Sequence, residues 1–113
     1  MDGKTMLMNC PQNIKDIIIE RFGSLEDFYG YVYQLNVKQY ANYKKTHVFD
    51  NTQIDHLKAC LENVGVDFMI ADNLVEEIGC DFSELVAEKY IKTYLGDNWK
   101  EKIDKFDELI NQY

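Results

Sequence analysis

Apolar residues recur at spacings of three and four along nearly the whole chain, and that period predicts helices. In residues 13–23, Ile14, Ile17, Ile18 and Phe22 form one stripe, and Gly23 is placed to stop it. Ser24, followed three residues later by Asp27, reads as a capping box that opens the next helix. The alternation of β-branched and aromatic residues in 29–33 also fits a strand, but helical caps on both sides favour a helix. Asn36 reads as the N-cap of a separate helix. Asn51 or Thr52 opens a helix with the stripe Ile54, Leu57, Leu61 and Val64, closed by Gly65. Residues 67–79 repeat this logic with Gly79 as the stop. Leu85 or Val86, Tyr90, Ile91, Tyr94 and Leu95 align before Gly96. Trp99, Ile103, Phe106, Leu109 or Ile110, and Tyr113 align in the last segment. Only residues 4–9 suit a short strand, and nothing is there to pair with it. The pattern therefore predicts an all-α fold, a compact bundle of about seven short helices.

A length of 113 residues fits one domain, with 46% apolar content to build its core. No linker, internal repeat or low-complexity tract divides it. The longest clearly apolar runs, such as Phe68–Ala71, are too short to cross a membrane. The first residues carry Asp2 and too short an apolar stretch for a secretory signal, so a cytoplasmic protein without a membrane partner is expected. Cys10, Cys60 and Cys80 are odd in number and widely spaced, and they read as small core residues.

Charge changes the picture. The net charge is -8, and all of it lies after residue 50, where fourteen acids face six bases. Within the neutral first part, residues 29–47 gather five of the eight tyrosines and three lysines, with no acid. Such asymmetry points to two faces with different tasks. Lys38, Lys44 and Lys45 are suited to displacing counterions from a nucleic-acid backbone, with Lys15 and Arg21 as helpers. Gln39 and Asn42, three apart on a helix, present amides of the kind that pair with adenine. Tyr40 and Tyr43 are placed to face the core. The plainer reading of the same stretch is a core or boundary helix with a solvated, lysine-rich end.

At residues 35–44, LNVKQYANYK resembles the turn and reading helix of the phage-repressor and Cro type of helix-turn-helix family. Tyr29 and Gly30 sit where that family places a large apolar residue followed by a small one. Residues 52–68 are similar to its next helix, and the segment from Asn13 to Phe28 fits its first. The resemblance covers roughly residues 12–70. It implies a helix-turn-helix in the N-terminal half and sequence-specific binding of duplex DNA, commonly as a dimer. It implies a phage or prokaryotic type of transcriptional regulator, with no enzyme activity and no cofactor. The DNA-binding residues are then Lys38, Gln39, Asn42, Lys44 and Lys45.

Residues 71–113 are the acidic C-terminal helices, and they extend beyond the resemblance. Their aromatic-rich stripes suggest a homodimer through residues 82–113. Their carboxylates support a rival function, an acidic α-helical interaction inhibitor or DNA mimic from a mobile genetic element, with a protein partner on the acidic face. His56 and Cys60 share a helix face but are too few for zinc. Glu76 with Glu77, and Asp81 with Glu84, read as solvated carboxylates and not as a catalytic pair. No phosphate loop or nucleophile motif is present.

Overall fold

The computed structural model describes residues 2–112. Among them, seven α-helices follow in order: α1 (Gly3–Asn9), α2 (Gln12–Phe22), α3 (Leu25–Thr46), α4 (Thr52–Asn63), α5 (Phe68–Cys80), α6 (Ala87–Leu95) and α7 (Trp99–Ile110). A 3-10 turn, Glu84–Val86, precedes α6. No strand occurs among the described residues. The expected all-α bundle is the architecture of the chain.

The boundaries have local causes. Ser24 accepts a hydrogen bond from the Asp27 backbone nitrogen at 3.0 Å and starts α3. Gly23, Gly65 and Gly96 adopt φ of 90°, 107° and 84°, a left-handed region open to glycine, at or just past the ends of α2, α4 and α6. The segment expected as a strand over residues 4–9 is instead α1. Asp2 caps it by accepting from the Thr5 backbone nitrogen at 2.7 Å. Gly79 does not stop α5, which runs one residue further to Cys80.

The turn expected before the Asn36 cap is absent: α3, 22 residues long, runs straight through it. No glycine or proline lies between Gly30 and Thr46 to interrupt the ladder. Asn36 does not cap a new helix. Its side-chain nitrogen donates back to the Val32 carbonyl at 2.9 Å, one turn earlier. A helix-turn-helix with its break at this position is therefore corrected to one continuous helix.

That helix is the axis of the bundle, and it packs against each of the other six. Phe28, Tyr29, Tyr31, Val32, Tyr33 and Leu35 are all buried, so α3 is apolar around most of its circumference here. Gly30 lets α6 approach closely. A Cβ there would stand 2.9 Å from Leu95 Cγ and from Tyr94 Cβ. Aromatic contacts tie α2, α3 and α7 together: Phe22 lies 5.0 Å from Phe28 and 5.1 Å from Phe106, both edge-on. Ile91, Leu95, Phe106 and Ile110 join the same core as Ile14, Phe22 and Leu57. The apolar stripes of residues 82–113, which suggested a dimer, are thus largely used within the chain.

Burial of the tyrosines needs partners for their hydroxyls. Tyr29 donates to Asp81 at 2.7 Å and Tyr31 to Asp107 at 2.6 Å. Tyr33 accepts from the Ser83 backbone nitrogen at 3.1 Å and donates to the Ser83 carbonyl at 3.3 Å. These partners come from the acidic second half of the chain. A carboxylate on α3 itself, between Phe28 and Leu35, would be buried on nearly every side.

Candidate functional site

Beyond Leu35, α3 leaves the interior. Its outer end runs from Asn36 to Thr46 as a ridge with a depression on each side. On one side, Leu35, Lys38, Gln39 and Asn42 face Asp50, Gln53 and Ile54 across a cleft of about 220 Å³. On the other, Val37, Tyr40, Ala41 and Lys44 face Phe82, Glu84, Glu88, Ile91 and Trp99 across a groove of about 360 Å³ with a mostly apolar floor. The ridge ends at His47, which takes φ 59° and donates its backbone nitrogen to the Tyr43 carbonyl at 2.7 Å.

The five residues singled out for DNA are all on this ridge, in different states. Lys38, Asn42 and Lys45 are exposed, and neither Lys38 nor Lys45 has an ion pair among the described residues. Gln39 is half-buried and donates its amide to the Asn51 side chain. Lys44 is bonded to Glu84 at 2.7 Å, and its ammonium lies 5.6 Å from the centre of the Tyr40 ring. The Glu84 contact raises Lys44 above the ordinary lysine range and, in return, lowers Glu84 below the ordinary carboxylate range. Tyr40 packs on Phe82, as its spacing suggested, whereas Tyr43 faces the tip.

Carboxylates flank the ridge on both sides. Asp50 stands beside Lys38 and Asn42. Hydrogen bonds from the Thr52 hydroxyl and backbone nitrogen hold its carboxyl below the usual range, so it stays charged. Glu84 and Glu88 stand on the other flank. Gln53 adds a buried side-chain oxygen with no hydrogen-bond partner among the described residues.

The tip is a feature that the helical stripes did not reveal. Val48 and Phe49 are 63% and 59% exposed, although both are apolar. Phe49 stacks on Tyr43 at 4.2 Å with the rings 7° from parallel. The signal was in the chain: two large apolar residues in a polar connection, belonging to no stripe. His56 and Cys60, read together from their spacing, lead separate lives. His56 Nδ1 lies 2.7 Å from the Asn111 side chain, and Cys60 is buried, which pushes its thiol up. Cys80, expected in the core, is exposed.

The acidic side is real but broken up. Asp55 and Glu62 on α4, and Glu101, Asp104 and Glu108 on α7, are exposed, with Lys100 and Lys105 interleaved along α7. Other acids are engaged: Asp72 and Glu76 hold Lys58 at 2.9 and 2.7 Å, and Asp27 holds Lys102 at 3.0 Å. No helix among the described residues is long and apolar enough to cross a membrane. No protein-family model, curated protein or solved structure matches the chain.

Proposed function

We propose that the chain is a small non-catalytic binding module, and that its partner is a protein seated on the outer end of α3. The observation that carries this reading is the exposed Val48–Phe49 pair, with Phe49 stacked on Tyr43, just past a helix end whose last turn carries Lys44 and Lys45. Exposed apolar surface within a polar rim is the usual form of a protein contact, and large aromatic residues at its centre carry most of the binding energy. The complementary partner presents an apolar pocket with an acidic rim.

The flanking carboxylates argue against a duplex. A helix lying in the major groove has a phosphate strand on either side, and donors are needed there. Asp50 occupies one flank of this ridge, and Glu84 and Glu88 the other. The second reading, a phage-type DNA-binding regulator, is favoured by exposed Lys38, Asn42 and Lys45 on an acid-free helix end. It places the reading surface on an unbroken helix without the family's turn.

One experiment separates the two. Random duplex DNA is titrated with the protein at about 50 and about 200 mM salt, where phosphate contacts differ most in strength. The protein-binding reading expects no saturable binding at either. Affinity that falls steeply with salt and disappears in Lys38→Ala/Lys45→Ala restores the DNA reading. In parallel, a photo-crosslinking residue at position 48 is expected to trap a discrete protein adduct that Phe49→Ala suppresses. An adduct indifferent to Phe49→Ala counts against this surface.

A further inference from the structure

The cleft between the α3 ridge and α4 is a separate surface from the Val48–Phe49 tip, and neither of those residues lines it. One wall is α3, with Lys38 and Asn42. The other is the start of α4 and the connection before it, with Asp50 and Gln53. Leu35 and Ile54 supply its apolar surface. At about 220 Å³ it is smaller than a drug-sized site, which takes about 300 Å³ or more.

Charge narrows the occupant. The lining holds one base and one acid, Lys38 and Asp50, on opposite walls. Neither forms an ion pair among the described residues, although they share the cleft. Opposite charges that face one space without closing on each other leave room for a group between them. Asp50 is held in place: its Oδ1 accepts from both the backbone nitrogen and the hydroxyl of Thr52, which leaves Oδ2 to meet a ligand. Gln53 on the same wall has a buried side-chain oxygen with no donor among the described residues, and what it lacks is an N–H or O–H. A phosphate wants several donors without a carboxylate opposite them. A divalent cation wants several oxygen ligands without an ammonium. A small zwitterion satisfies both charges at once, with charge-assisted hydrogen bonds at each end.

We infer that the cleft binds a free aliphatic α-amino acid, its carboxylate on Lys38 and the Asn42 amide, its ammonium on Asp50, and its side chain against Leu35 and Ile54.

Titration of the intact protein with free L-leucine to about 20 mM, followed by the backbone amide resonances of Asn42, Asp50 and Gln53, tests it; a dissociation constant of about 1 mM or lower is expected. N-acetyl-L-leucinamide keeps the side chain without either charge and is expected to give no saturable shift. Lys38→Gln and Asp50→Asn each remove one charge and are expected to weaken leucine binding about tenfold or more. Both should keep the melting temperature, because Lys38 is exposed and unpaired and an amide oxygen at position 50 still accepts from Thr52. Lys45→Gln, on the same ridge but outside the cleft, is expected to leave binding unchanged. Three outcomes overturn the inference: no saturable shift with leucine, equal binding of the uncharged derivative, or a loss in Lys45→Gln as large as that in Lys38→Gln.

Discussion

Gly3 on α1 lies directly against the backbone of Ile78 on α5: a Cβ at Gly3 would stand 2.3 Å from both the Cα and the nitrogen of Ile78. Backbone cannot yield as a side chain can. Gly3→Ala is therefore expected to lift α1 off the bundle, exposing Leu7 and costing about 2–4 kcal/mol. Gly30 makes the useful contrast. Its close neighbours, Leu95 Cγ and Tyr94 Cβ at 2.9 Å, give only as α6 itself shifts, but the approach is less severe than the backbone contact at Gly3, and alanine gains up to about 1 kcal/mol in helix propensity. Gly30→Ala is expected to cost a net of about 1–2 kcal/mol after that gain. Hydrogen exchange distinguishes the two: Gly3→Ala releases the amides of α1 while those of α3 stay protected.

Asp81 serves two elements at once. Its carboxylate accepts from the backbone nitrogens of Gly3 and Lys4, both at 3.0 Å, and so caps α1 from the far end of α5. It also accepts the Tyr29 hydroxyl at 2.7 Å. Asp81→Ala strands a buried phenol and a helix start together, and a loss of about 2–3 kcal/mol is expected in urea unfolding. Tyr29→Phe removes the donor along with its need for a partner and is expected to cost about 1 kcal/mol. Because the two share one interaction, the double variant is expected to lose less than the sum of the singles.

Alkali is expected to unfold the protein through its buried tyrosines. Burial, reinforced by Asp81 beside Tyr29 and Asp107 beside Tyr31, pushes both hydroxyls far above the usual phenol range. The folded value exceeds the unfolded one, so the stabilisation is complete below the unfolded pKa of about 10 and is lost as pH rises beyond it. Tyr31 alone contributes a decline of about 1.4 kcal/mol per pH unit in that window. Phenolate absorbance and circular dichroism measured together are expected to show a cooperative step in which phenolate appears as helix is lost. Tyr31→Phe should make the decline of stability with pH shallower by one proton.

The legible parts of the chain were those with local causes. Ser24 and the glycines at 23, 65 and 96 act within a turn of where they stand, so the ends they set were readable. Helical spacing also exposed Lys38, Asn42 and Lys45 as the wet edge of α3. What failed depends on distant residues. Gln39 is held by Asn51 and Lys44 by Glu84, 12 and 40 positions away. The cluster of tyrosines looked like a binding stretch because the carboxylates that satisfy it lie 52 and 76 positions on, at Asp81 and Asp107. A central helix buried by all its neighbours and a ligand-reading helix both exclude acids, and local sequence does not separate them. Asn36 misled for a related reason: the same amide caps a helix start or bonds back to the carbonyl of residue i−4, and only continuity of the core decides.

Proline at position 37 tests that continuity. If a helix began at the Asn36 cap, residue 37 would be its first position, where proline fits because the nitrogen there has no helical partner. Inside α3, residue 37 instead donates to residue 33, and the ring of proline collides with that carbonyl. Val37→Pro is therefore expected to cost about 3 kcal/mol or more in urea unfolding. Gln12→Pro is the matching control, at the true first position of α2. Gln12 is exposed, and Pro11 before it has ψ 145°, an extended conformation suited to a residue that precedes proline. Its cost is expected to stay within about 0.5 kcal/mol, the range of ordinary surface substitutions. Equal, small effects at both sites would mean that the chain turns at Asn36 in solution, and the reading surface of a helix-turn-helix would return with that turn.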